Sequence, residues 1–386
     1  MLPGAYVHLP FCHTHCTYCP FAISTDLALQ DAYADAVVRE IAAALAVPVE
    51  RRPLSAADAS PGPGGRSGRR STGTGFETVY FGGGTPSRTS IENLRRIFAA
   101  LPIAEGAEVT LEANPEDVTE ESIDAWRAMG VNRISVGVQS FHDDELRAIA
   151  RVHDRARAIE AVRLIANSGA RANLDLILGL PGQTAQTYRE SLDTAVGLGA
   201  GHLSLYMLDL EERTPLQIQH ARGRVSLPEE DMVADLYVET IERLGRAGLA
   251  QYEISNFARP GEESRHNLRY WRRAEYRGFG MAAHSFAGAK RFANTRDIRR
   301  YIELSPNARD FEETLGDSEV QHETIFLQLR QTRGMCYEDL VALRGKEAME
   351  WIERGLRDGW LKQEGERVSF TPAGFLQSND FISQLF

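Results

Sequence analysis

From the N-terminus to about residue 210, short apolar runs alternate with stretches of helical pattern, and this alternation constrains the fold more than any other feature. Six runs read as strands: 6–9, 78–81, 108–112, 133–138, 173–178 and 202–207. Several are rich in Val, Ile, Leu, Phe and Tyr, and helical pattern follows most of them. The first helix follows Thr25 and Asp26, an N-cap pair, and carries Leu29, Tyr33, Val37, Ile41 and Leu45 at i+4 spacing on one face. Repeated β/α units predict a parallel sheet with ligands at the C-terminal ends of its strands. Six units are too few for a closed eight-stranded barrel. The expected class is therefore α/β, a partial, open (β/α)6 barrel over residues 1–225.

Two regions depart from the alternation. Residues 51–75, RRPLSAADASPGPGGRSGRRSTGTG, hold almost no large apolar side chain and read as a disordered surface insertion. After residue 215 the pattern turns helical, with one long amphipathic stretch over 228–245. Residues 226–310 are expected to form an extension. A separate module is expected over 311–386: helical segments near 323–330, 337–343 and 346–358, a hairpin-like GWLKQEGERVSFT, and a last helix after Pro372. Helices with a β wing predict a winged-helix-like shape, but residues 320–386 carry eight Lys/Arg against ten Asp/Glu. Packing or regulation is the expected role there, not DNA binding.

The whole chain points the same way. Its 54 acidic and 43 basic side chains leave a net charge of −11, which argues against a nucleic-acid partner. No apolar run reaches membrane-span length, and the start MLPGAYVHLP lacks the features of a signal peptide. The cytoplasm is the expected compartment.

Four cysteines occur, and three fall in Cys12-His13-Thr14-His15-Cys16-Thr17-Tyr18-Cys19, a CxxxCxxC loop directly after the first strand. In a reducing compartment such a cluster reads as a metal site. Three thiolates can bind three irons of a [4Fe–4S] cubane and leave the fourth iron for the amine and carboxylate of S-adenosylmethionine (SAM). Reducing that cluster puts an electron into the sulfonium and releases a 5′-deoxyadenosyl radical. A Cys3His zinc site using His13 or His15 is the rival, but it lacks a second ligand pair. A c-type haem site is excluded because Pro20 follows Cys19. His13 and His15 read as exposed loop residues, and the isolated Cys336 as a small buried side chain.

Four further segments fall near the predicted strand ends. They are Gly82-Gly83-Gly84-Thr85-Pro86-Ser87, Glu112-Ala113-Asn114-Pro115, Gly137-Val138-Gln139-Ser140-Phe141, and Asp175 ahead of Gly179-Leu180-Pro181-Gly182-Gln183-Thr184. Each polar residue alone reads equally as a cap or a turn; the order is the specific feature. Together with the cysteine loop, they resemble the radical SAM subfamily of oxygen-independent coproporphyrinogen III oxidase and its relatives over nearly the whole chain. The resemblance implies that Tyr6, Tyr18, Gly83, Gly84, Thr85, Glu112, Gln139, Arg151 and Asp175 serve SAM. Arg151, in a segment resembling the family's GRxH, is chemically suited to the SAM carboxylate.

Three departures separate the relatives. The oxidase has a further cysteine two positions after the third cluster cysteine, where this chain has Phe21. The oxidase also has an N-terminal extension, whereas the first strand here is expected about five residues in. Finally, His266-Asn267-Leu268-Arg269-Tyr270-Trp271 is an HNxxYW motif, which resembles the mark of the HemW-type heme chaperone branch. That branch implies heme as ligand, with His266 as its axial ligand and His284 as a weaker candidate on a strand and turn edging the same cavity. From its setting alone, beside Asn267 and two aromatics, His266 reads more readily as a satisfied core residue than as a ligand. The resemblance further implies heme-accepting respiratory membrane proteins, an electron donor and peripheral membrane association. The enzyme readings, a coproporphyrinogen oxidase or a methylase using two SAM molecules, are the alternative.

Overall fold

The computed structural model describes residues 3–46 and 75–386. The insertion expected over 51–75 lies outside the described residues except for Gly75. Six parallel strands run side by side in chain order: β1 (Gly4–Leu9), β2 (Phe76–Gly83), β3 (Ile103–Ala113), β4 (Arg133–Gln139), β5 (Arg171–Leu178) and β6 (His202–Met207). Helices cover their outer face, as the α/β alternation predicts.

Period-two alternation explains this arrangement. Val79, Phe81, Val109, Leu111, Ile134, Val136, Leu174, Leu176, Leu203 and Leu205 turn to the helices and form the core. The alternate residues face the interior of the partial barrel and are polar. Tyr80 donates to Glu112, Ser135 to Asp175, and Asn173 to Ser204 and Asp175. A buried polar face is tolerable only when its groups satisfy one another, and here they bond across strands. Helix starts are set locally: Thr119 with Ser122 and Thr184 with Thr187 form reciprocal capping boxes.

The sheet continues past both edges of the barrel, which corrects the helical expectation after residue 215. The long helix Glu230–Arg246 is present, but six short strands follow: β7 (Ala250–Glu253), β8 (Asn256–Ala258), β9 (Tyr276–Phe279), β10 (His284–Ala287), β11 (Lys290–Asn294) and β12 (Arg309–Thr314). β8 closes the edge of β6 in antiparallel fashion, and β9 lies parallel to β1. These strands have three to six residues, and β12, RDFEET, is almost wholly exposed. Too little apolar alternation remains in such segments to be read locally.

The last residues form a small unit with its own sheet, β13 (Met335–Cys336), β14 (Leu361–Glu364) and β15 (Arg367–Phe370), in the order β13-β15-β14. The two helices expected over 337–343 and 346–358 are halves of Tyr337–Arg357, broken at Gly345 (φ 57°, ψ −132°). Trp351, Ile352, Phe370 and Phe381 are buried there, and the Trp351 indole donates to the Phe381 carbonyl at 2.7 Å.

Candidate metal and ligand site

The cysteine loop leaves the C-terminal end of β1 and is tied at its base. Ser24 N donates to Pro10 O (2.8 Å), and Cys12 N donates to Ser24 O (3.0 Å). His8 adds a side-chain tie: its Nε2–H donates to Ala22 O (2.9 Å), which leaves Nδ1 to accept from the Tyr6 hydroxyl (3.1 Å). Burial holds that imidazole neutral, with its pKa lowered to about 4. The glycines after β2 lie against this tie. A Cβ on Gly83 (φ +114°) would meet the His8 ring at 2.5 Å, and one on Gly84 would meet Pro10 O at 2.4 Å. Gly84 N and Thr85 N then donate to Leu9 O and Phe11 O at 2.9 Å each, which docks the glycine segment against the cysteine loop.

A cavity of about 470 Å3 opens here, lined by Cys12, Cys16, Cys19, Tyr18, Gly83, Gly84, Thr85, Glu112, Gln139, Arg151 and Asp175. Every strand of the partial barrel except β1 thus contributes from its C-terminal half, while β1 leads into the cysteine loop. Arg151 is aimed inward by a left-handed residue before it, Ala150 (φ 59°). Its Nη2 donates to Gly137 O (2.6 Å) and Asn114 Oδ1 (2.8 Å), and its Nη1 lies 3.8 Å from Cys16 Sγ. Gln139 also sits in the left-handed region (φ 67°), at a register shift between β4 and β5. Tyr18 packs with Ile149, Ile177, Leu180 and Leu208 in a small core separate from the main one.

The electrostatics suit a cationic guest. Burial pushes the Glu112 carboxyl up to about 7 against the opposing bond from Tyr80, and that of Asp175 up to about 6 against bonds led by Ser204. Burial likewise raises the Cys12 thiol to about 11, with the Thr85 hydroxyl opposing it, and raises Cys19. Thiols in such surroundings become thiolates when a metal cation supplies the countercharge. Among the described residues no three His, Cys, Asp or Glu side chains converge on a single-ion site. A cubane asks for something else, one thiolate on each of three irons. His15 Nε2 bonds the Cys19 carbonyl (3.0 Å), and His13 Nδ1 lies 3.4 Å from Arg88 Nη2. Three cysteines on one loop beside a guanidinium fit a site-differentiated iron–sulfur cluster.

The comparisons with known proteins agree with this geometry. The Radical SAM superfamily model matches residues 69–195, and the HemN C-terminal domain model matches 317–376. Heme chaperone HemW of Bacillus subtilis is 32% identical, over 98% of this chain and 98% of that protein. That of Synechocystis is 34% identical over 100% and 97%. The chain belongs to the heme chaperone HemW family. The solved structure of coproporphyrinogen III oxidase (HemN) from Escherichia coli, a radical SAM enzyme, shares the fold, with a TM-score of 0.81 at 22% identity over 99% of this chain and 89% of that one.

Not every residue singled out in the sequence reaches the cavity. Tyr6 stands behind His8 and stacks near Tyr80 (ring centroids 6.3 Å), so it acts on the loop through the imidazole. His266 is 1% exposed, and both ring nitrogens are engaged, Nδ1 with Thr78 Oγ1 (2.9 Å) and Nε2 with the Tyr270 hydroxyl (2.8 Å). Its backbone N–H donates to Glu108 (2.9 Å), and its ring stacks on Tyr80. Here the HNxxYW motif fastens the helix Arg265–Trp271 to the sheet. His284 begins β10, away from the cavity, with its ring beside Phe311. Neither histidine lines the cavity that holds the cysteines. Asn114, Ser135, Tyr206, Met207 and Leu208 do line it. Position at the end of the sixth strand was the signal for the last three.

Proposed function

We propose that this chain is a heme chaperone that holds a [4Fe–4S] cluster on Cys12, Cys16 and Cys19, binds SAM beside it, and passes heme to respiratory membrane proteins. The observation that carries the reading is the convergence of three cysteines, two buried carboxyls and one guanidinium on a single cavity. SAM presents a carboxylate, an ammonium and a sulfonium, the complement of Arg151 on one side and of Glu112 and Asp175 on the other. Gln139 and the backbone at Gly83, Gly84 and Thr85 offer hydrogen bonds to its polar edges. When bound, the cluster supplies one-electron chemistry at the sulfonium. The protein's own part is to position and to exclude. Arg151 is held by Gly137 O and Asn114, Glu112 by Tyr80 and Gly83 N, and Asp175 by Ser135 and Asn173. Preset groups of this kind lower the ordering cost of binding.

The heme part rests on the relatives, which are named for it, and on Phe21, which stands where the oxidase carries a further cysteine. An external electron donor belongs to this reading, since reducing the cluster takes an electron from outside it. Delivery to membrane proteins calls for peripheral contact, since no described helix is long and apolar enough to cross a membrane.

Anaerobic reconstitution tests the first half: about four irons per chain are expected, with loss of iron in Cys12→Ala, Cys16→Ala or Cys19→Ala. Stoichiometric zinc without iron overturns it. Heme titration of the same preparation, alongside product analysis with reductant, SAM and coproporphyrinogen III, tests the second. Heme binding without protoporphyrinogen IX is expected, and turnover to protoporphyrinogen IX rejects the chaperone reading.

A further inference from the structure

His153, at the end of the Arg151 segment, and Glu116, two positions after Asn114, come together at the wall of the cavity. The His153 side chain is wholly buried, and Glu116 lines the cavity. His153 Nε2–H donates to Val138 O on β4 (3.1 Å), which leaves Nδ1 facing Glu116 Oε2 at 3.5 Å. In a neutral imidazole that nitrogen is an acceptor, and so is a carboxylate oxygen. Both atoms are buried, and neither has another hydrogen-bond partner among the described residues. Two buried acceptors set face to face repel and stay unsatisfied; one proton between them satisfies both.

The other oxygen of Glu116 leads to Arg151. Asn114 Nδ2 donates to Glu116 Oε1 (3.1 Å), while Asn114 Oδ1 accepts from Arg151 Nη2 (2.8 Å). The charge on Glu116 is thus two hydrogen bonds from the guanidinium that suits the SAM carboxylate. An unneutralised Glu116 competes with that carboxylate for Arg151. A Glu116 paired with an imidazolium does not.

We propose, resting on the reading that Arg151 receives the SAM carboxylate, that Glu116 and His153 hold one buried proton as a carboxylate–imidazolium pair. This proton sets how much of the Arg151 charge reaches an anionic ligand. The two are positioning residues and do not touch the reacting atoms. Although burial opposes it, His153 and Arg151 hold the Glu116 carboxyl below the ordinary carboxylate range, which places the proton on the imidazole. The charged and titratable groups around the pair come from three segments. Arg151 and Asp154 stand on the same turn, and Asp154 caps the helix Arg155–Ser168. Tyr18 and Cys16 of the cysteine loop lie beyond Arg151, and Asp117, next to Glu116, is paired with Arg88. Histidine is the side chain that changes charge near neutral pH, so raising the pH removes the proton and weakens carboxylate binding.

Glu116→Gln supplies the test. Its amide donates to a neutral His153 Nδ1 while its carbonyl still accepts from Asn114, so both atoms are satisfied without the shared proton. SAM affinity of the full-length, cluster-reconstituted protein is measured anaerobically from about pH 6 to about pH 9, the range that brackets a histidine proton. Taking the ratio of the two proteins' affinities cancels the titration of SAM's own amine. The ratio of Glu116→Gln to wild type is expected to rise at least about five-fold from the acid to the alkaline end, the scale of one unit charge at this range in a protein. His153→Gln is expected to bind SAM more weakly than Glu116→Gln by the same factor at every pH. Glu116→Gln combined with His153→Gln is expected to restore the affinity, because the two amides satisfy each other. Should His153→Gln lose iron, the Glu116→Gln ratio carries the test. In nitrogen NMR spectra of protein labelled at histidine, His153 is expected to carry protons on both ring nitrogens at neutral pH in the wild type, and on one in Glu116→Gln. A ratio that stays constant across the range, or a singly protonated His153 in the wild type, overturns the inference. A wild type that binds no SAM, or SAM affinity unchanged in Arg151→Met, fails the functional reading first, and the histidine spectra still decide the shared proton.

Discussion

The residues that shape the cavity act through steric exclusion and burial, and each gives a separate measurement. Gly83 has both a positive φ and the His8 ring within 2.5 Å of where a Cβ would stand. Gly83→Ala is expected to cost about 1–3 kcal/mol in chemical denaturation and to lower iron content, because His8 must yield its hold on Ala22. Gly130 has a similar φ (+107°) but open space around it, so Gly130→Ala is expected to cost about 1 kcal/mol and leave iron unchanged. Glu112 supplies a pH signature. Its folded pKa, raised to about 7 by burial, exceeds the unfolded value, so the folded state holds the extra proton. Through this group stability is fully present below about pH 4 and falls as pH rises toward 7. Urea melts of the cluster-free protein from pH 4.5 to 7.5 are expected to show Glu112→Gln gaining on the wild type across that window. A constant difference between the two proteins contradicts the assignment.

At the scale of elements, the extension is fastened to the barrel by one buried carboxylate. Glu40, on the helix Gln30–Ala46, accepts from the Tyr301 hydroxyl (2.6 Å), Asn294 Nδ2 (2.7 Å) and Gly280 N (2.9 Å). Glu40→Ala leaves three donors without an acceptor, and the expected loss is about 3 kcal/mol or more in a denaturant melt. The helix Arg265–Trp271 is held in similar fashion. His266 joins Glu108, Thr78 and Tyr270, while Arg269 pairs with Glu77 (3.3 Å). His266→Ala is expected to cost about 1–3 kcal/mol, with Tyr270→Phe costing less than half as much. Equal stability of His266→Ala and the wild type would mean that this histidine does not fasten the helix.

For the whole molecule, the winged outline of the last module and the charge of the chain make opposite suggestions, and charge prevails. Phosphate binding is driven by release of counterions from a basic face, and a chain of net charge −11 whose last module is also acidic lacks that drive. A mobility shift with duplex DNA at physiological salt is expected to show no complex; salt-sensitive micromolar binding would reverse that conclusion. The start of the module instead packs on the extension over 226–310. Glu323 pairs with both Arg273 (2.6 Å) and Arg291 (2.8 Å), Arg330 O accepts from Ile254 N (3.0 Å), and Gln331 Nε2 donates to Trp271 O (3.1 Å).

What could be read from the chain alone is what each residue carries by itself or with near neighbours. The six barrel strands appear within a few residues of their expected bounds, because two-residue alternation under a helical cover is a local pattern. The four motifs fall at strand ends for the same reason, and so meet the cysteine loop at one cavity once the sheet is parallel. Of the strands β7–β12 only the strand and turn leading to His284 was legible; for the rest, pairing into the continued sheet is what makes them strands, and little in their own residues marks them. His266 shows the limit most plainly. Its sequence setting does not disclose its partners, which are Thr78, 188 positions away, together with Glu108 and Tyr80. Whether a ring faces water, a neighbour or a ligand depends on which distant surfaces the fold brings against it, and only the tertiary structure decides that.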